Sequence, residues 1–181
     1  MHELAVLAVI VAAVMAATTV AHRLIGPALR YLEYGLLACS VAIILFVAFF
    51  VGAEVVMRYL FNAPIPGHLE GSELLLPMIV FFAFSYTQAT HGNVGMDLVL
   101  DVMAPNARRY TTVVALLASI FISAVLAYFS YKNAYQLWLY DDVTMTPPYF
   151  RTWPSAAAIP LGYTLVAIRM YLQILNLLMP D

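Results

Sequence analysis

Tyr110 to Tyr131 constrains the chain most, because it is twenty-two residues without a charge. At a helical rise of about 1.5 Å per residue, that run matches the roughly 30 Å hydrocarbon core of a bilayer. Backbone polar groups in lipid must be satisfied within the protein, which a helix does by itself. Three more apolar runs repeat the pattern: Gly35 to about Met57, Leu74 to Thr90, and Trp153 to Met179. Hydrophobic residues make up 64% of the 181 and charged residues 10%, a balance foreign to soluble domains. The expected fold is an all-α integral membrane protein. It has a four-helix transmembrane core, an additional N-terminal apolar helix and a short interfacial helix near 94–103.

Leu4 to Ala21 is the additional run, eighteen residues without a charge. A signal peptide is the rival reading, but Met-His-Glu supplies no basic n-region and no Lys or Arg precedes Arg23. A retained helix is therefore expected, with a helix lying partly in the membrane interface as its alternative. A polar joint from His22 to Arg30 follows, where Gly26-Pro27 is expected to break the helix. The chain accordingly divides into 1–31, the N-terminal helix and joint, and 32–181, a single transmembrane domain. Cys39 is the single cysteine, which excludes an internal disulfide or a CxxC pair, and it reads as a small packing residue.

Scarce charge gathers around a reversal. Glu54 precedes Arg58 by four residues, so the two share a helix face as acid and base. Phe61-Asn-Ala-Pro-Ile-Pro-Gly67 cannot continue a helix, since Pro64 and Pro66 remove donors and Gly67 permits a reversal. Glu70 and Glu73 open the next helix, where the positive end of its dipole favours them. Paired carboxylates are open to two readings here, a structural or partner-binding role and ion coordination. Ser85, Thr87 and Gln88 lie towards the far end of that helix, suited to hydrogen bonds with neighbouring helices. Beyond His91-Gly92, Asp97 and Asp101 sit one turn apart on the short interfacial stretch stopped by Pro105.

Tyr131, Tyr135, Trp138, Tyr140, Tyr149 and Phe150 form an aromatic belt around the connection from Asp141 to Trp153. Arg169, deep in the last run, either snorkels outwards or meets Asp97 or Asp101. Basic residues at the Arg23/Arg30 and Arg108/Arg109 joints place those joints, and the C-terminus, in the cytoplasm. The Pro/Gly turn and the aromatic connection then lie outside. A net charge of −2 without a basic run excludes nucleic acid as a partner.

R-Y-L-F-N-A-P-I-P-G, then L-E-G-S-E-L-L-L, then H-G-N-V-G-M-D-L-V-L-D-V-M-A-P-N-A-R-R, and finally I-P-L-G-Y-T-L-V-A-I-R-M occur in that order. Together they resemble the small membrane subunit of tripartite ATP-independent periplasmic (TRAP) transporters, over about residues 32 to 178. The resemblance implies a four-helix subunit in the bacterial inner membrane that pairs with a large membrane subunit and works with a soluble periplasmic substrate-binding protein. It further implies sodium-coupled import of an organic acid. Substrate and sodium would belong to the large, elevator-type subunit, so that this chain needs no cofactor and is no enzyme. The N-terminal run is a departure from the family pattern. So is Gly67-His68, where many members carry a Trp.

In this frame Glu54, Arg58, Glu70, Glu73, Asp97, Asp101 and Arg169 are structural or partner-binding candidates. Asp141, Asp142 and Arg151 are candidates for docking the binding protein. Two rival classes remain. A respiratory membrane anchor needs facing histidines within helices, whereas His2, His22, His68 and His91 fall at expected helix ends. A stand-alone exporter of the small multidrug type needs a cation-binding membrane carboxylate, for which Glu54 is the candidate.

Overall fold

The structure is a computed structural model that describes the backbone of residues 2–90 and 105–178, with side chains mainly over 26–90 and 107–177. Among the described residues there are four helices: α1 (His2–Leu60), α2 (His68–Ala89), α3 (Pro105–Leu139) and α4 (Trp153–Leu178). Each contains a stretch long and apolar enough to cross a membrane, namely Gly26–Leu60, His68–Ala89, Ala107–Leu139 and Trp153–Leu177. The interfacial helix expected near 94–103, with Asp97 and Asp101, lies outside the described residues.

The break expected at Gly26-Pro27 does not occur. Helix α1 runs unbroken through Pro27 for 59 residues, and His22 is therefore inside a helix rather than at a joint. Proline costs α1 one backbone hydrogen bond, to the carbonyl four residues before it. Stopping and restarting the helix would orphan several such groups at once and require a second nucleation.

The helices run alternately up and down. Helix α4 packs most extensively on α3, then on α2, and α1 packs chiefly on α2, so the spatial order is α3, α4, α2, α1. Helix α4 is thus the buried middle, with Val166 fully enclosed and Leu165, Leu172 and Ile174 buried around it. Lipid is as apolar as these side chains, so close approach and polar contacts, rather than escape from water, must hold such helices together. The sequence supplies the first through Ala158 and Gly162, a small-xxx-small pair on α4. A Cβ at Gly162 would stand 2.7 Å from Phe81 Cβ and 2.8 Å from the Phe81 carbonyl oxygen. Only glycine lets α2 and α4 meet there. Tyr163 completes the contact, its ring 5.0 Å from that of Phe81.

At one end of the bundle the chain reverses twice. Gly67, at φ +73°, forms the residue before α2 in the left-handed region that glycine tolerates. The connection between α3 and α4 folds back as a small hairpin. In it Thr144 N–H donates to the Phe150 carbonyl at 2.9 Å and Thr152 N–H to the Asp142 carbonyl at 3.1 Å. This hairpin rests on the α1–α2 turn, because a Cβ at Gly67 would meet Pro148 Cδ at 2.5 Å and the Pro147 carbonyl oxygen at 3.0 Å.

Candidate functional site: a polar seam along α1

Helix α1 is apolar, yet the side it turns inward carries polar groups. Between Glu33 and Glu54, the residues that are not exposed are 33, 36, 37, 40, 43, 47, 50 and 54. That is a seven-residue repeat with steps of three and four, the pattern of a helix packed along one neighbour. Glu33, Ser40 and Glu54 occupy equivalent places in it, at 1%, 2% and 2% exposure. Three heptads separate the two acids, about 32 Å at helical rise, which sets them near opposite boundaries of the hydrocarbon core. Cys39 stands one residue off the seam and is exposed, not the packing residue its surroundings in the sequence suggest.

Away from the turns, Glu33 joins three helices. Ser85 on α2 donates its hydroxyl to Glu33 Oε1 at 2.7 Å, and Arg169 on α4 brings Nη1 to 3.8 Å from Glu33 Oε2. Among the described residues Glu33 is thus the partner of Arg169, while Asp97 and Asp101, the partners expected for it, lie outside them. A partly buried cation between apolar helices is costly unless neutralised, and Glu33 on the α1 seam supplies the opposite charge. One turn beyond, Gln88 and Gln173 pair. Gln88 Nε2 donates to Gln173 Oε1 at 2.9 Å, and Gln173 Nε2 donates to the Gln88 carbonyl at 3.0 Å. Arg109 on α3 donates to the Leu177 carbonyl at 2.6 Å, satisfying an end carbonyl of α4. Midway along the seam, Ser40 donates to the Ile79 carbonyl at 2.7 Å.

At the turn end the three acids separate into three environments. Glu54 lies 3.7 Å from Arg58 Nε and 3.8 Å from His68 Nε2, and its buried Oε1 accepts no hydrogen bond within the described chain. His68 is otherwise engaged, with Nδ1 donating to the Ile65 carbonyl at 3.0 Å. Glu70 reaches the hairpin, accepting the Thr146 N–H at 3.4 Å. Glu73 is exposed. Among the docking candidates, Asp141 and Arg151 form an exposed ion pair at 3.2 Å, while Asp142 accepts the Thr152 hydroxyl at 3.4 Å. Among the described residues no group of three or more His, Cys, Asp or Glu is placed to hold a metal ion.

Sequence reading did not single out Glu33, Ser40 or Gln173. The signal was present as the spacing 33, 40, 54, a heptad of polar residues on a helix otherwise too apolar to need them. In the sequence alone Glu33 is a single charge shortly after the polar joint, with nothing local to mark it as buried.

The arrangement fixes helices to one another; its buried polar groups face other helices of the same chain. A curated protein from Vibrio cholerae serotype O1 (strain ATCC 39315 / El Tor Inaba N16961), the C4-dicarboxylate TRAP transporter small permease protein DctQ, is 30% identical over 87 residues. That similarity takes in 44% of this chain and 38% of the relative's length. Residues 47–179 match the family described as tripartite ATP-independent periplasmic transporters, DctQ component. With most of its length matched, from the late part of α1 through α4, the chain belongs to the DctQ component family of TRAP transporters.

Proposed function

We propose that this chain is the fixed scaffold of a sodium-coupled TRAP transporter importing an organic acid. A periplasmic binding protein delivers the substrate, and the large membrane subunit moves it in an elevator fashion and holds the sodium. The membrane is the bacterial inner membrane, with the C-terminus cytoplasmic by the distribution of Lys and Arg.

The observation that carries this reading is the polar seam. Glu33 and Ser40 engage α2 or α4 directly, and both are almost wholly buried. Such a seam makes a stiff wall, which a moving neighbour requires. The exporter alternative needs Glu54 open to a transported cation, whereas Glu54 is buried beside Arg58 and His68. The respiratory-anchor alternative needs free imidazoles, and among the described side chains the one imidazole, His68, is held between Ile65 and Glu54.

The test is a tagged pull-down from native membranes in mild detergent, followed by reconstitution. Recovery of one much larger hydrophobic protein, and uptake that requires both chains, a sodium gradient and the binding protein, are expected. Transport by this chain alone in liposomes would overturn the reading.

A further inference from the structure

Of the three acids at the turn end, Glu54 has Arg58 and His68 beside it, and Glu70 accepts a hydrogen bond from the hairpin. Glu73 makes no hydrogen bond or ion pair with any described residue. It does not stand at the rim. Helix α2 has 22 residues, about 33 Å, so it is scarcely longer than the hydrocarbon core. Glu73 lies about 8 Å inward from His68 along that helix. Its neighbours on the same face are Leu69, Leu76 and Val80, at 68%, 53% and 57% exposure. These positions fall at i−4, i+3 and i+7 from Glu73, one stripe of the helix. The faces of α2 that meet α1 and α4 are elsewhere, through Ser85 and through Phe81 and Gln88.

A carboxylate on a lipid-facing apolar stripe is unfavourable, and glutamate lacks the long stem by which Lys and Arg reach the headgroups. A cation seated against it offsets much of that cost. We infer that the Leu69–Glu73–Leu76–Val80 face of α2 docks a transmembrane helix of the large subunit that presents a Lys or Arg to Glu73. The apolar residues on either side supply the close packing, and the charge pair fixes depth and register. This inference rests on the subunit role proposed above, and it adds which face is covered and by what chemistry.

The experiment co-purifies the tagged chain with the large hydrophobic protein from detergent-solubilised membranes, using wild type, Glu73→Gln and Glu73→Arg. A photo-reactive benzoylphenylalanine at Leu76 provides a second readout. Glu73 is exposed in the isolated chain, so all variants should unfold at the wild-type temperature. Recovery of the large protein is expected to fall at least about tenfold in Glu73→Gln and further in Glu73→Arg, as for truncation of one partner of a desolvated charge pair. The Leu76 probe should join the large protein. Equal recovery from all three chains, or Leu76 adducts only to lipid or to a second copy of this chain, overturns the docking face while the subunit role stands. Failure of wild type to recover any large protein overturns the subunit role and this inference with it.

Discussion

Glu33 and Glu54 share one stripe of α1 and are almost equally buried, yet the bundle uses them differently. Glu33 takes a short hydrogen bond from α2 and a cation from α4, so one side chain ties three helices. Glu54 has its cation on its own helix, one turn on, and no donor within hydrogen-bonding reach of Oε1. What holds the turn end is backbone shape. Gly67 in its left-handed conformation receives Pro148, and the hairpin closes over it. One end is fastened by charge and the other by sterics.

The largest expected effect breaks the charged end. Arg169→Ala leaves Glu33 buried without its cation, and removing one partner of a buried pair costs about 3 kcal/mol or more. Thermal or denaturant unfolding of the purified chain in detergent should show it. Glu33→Leu combined with Arg169→Met should recover most of the loss, because apolar residues of similar volume replace both charges at little cost. If the double variant is no better than Arg169→Ala, the pair is not what fastens that end.

The turn end sharpens the contrast. Gly67→Ala places a Cβ against Pro148 and demands a left-handed conformation that alanine resists, for about 1–3 kcal/mol. Glu54→Gln keeps the volume and removes a charge that is incompletely satisfied, so its effect should be about 1 kcal/mol or less. Unfolding midpoints in the order wild type, Glu54→Gln, Gly67→Ala are therefore expected. The reverse order would mean that charge fastens both ends.

The four spans were legible because each is a run of apolar residues of bilayer length, and that signal needs no tertiary information. The turn was legible for a similar reason, since Pro64, Pro66 and Gly67 act on their own backbone. Pro27 misled because a single proline removes only one backbone hydrogen bond, and whether the helix bends, stops or continues is decided by the turns on either side of it. Partners were not legible. Arg169 is 136 residues from Glu33 and could have met any acid at its depth. The deciding fact, that the heptad stripe of α1 faces inward, belongs to the packing of α2 and α4. Glu73 looked like one of a pair with Glu70, and only the hairpin's capture of Glu70 separates them.

The smallest effect on the fold is expected at the exposed rim of the hairpin. Asp141 and Arg151 pair at 3.2 Å, but both side chains are 64% exposed. Such pairs contribute about 0–1 kcal/mol, so Asp141→Asn with Arg151→Gln should leave the unfolding midpoint and recovery of the large subunit nearly unchanged. Their orientation is instead set by the Val143–Arg151 bridge and the Asp142–Thr152 contacts beneath them. A rigid loop that displays charge without needing it for stability is suited to meeting a soluble partner. Reversing the charges at Asp141, Asp142 and Arg151 should therefore lower binding-protein-dependent uptake and reduce it less as salt is raised, because screened contacts matter less. Unchanged uptake at low salt would leave the hairpin as a brace for Gly67 and Glu70 and remove it as a docking candidate.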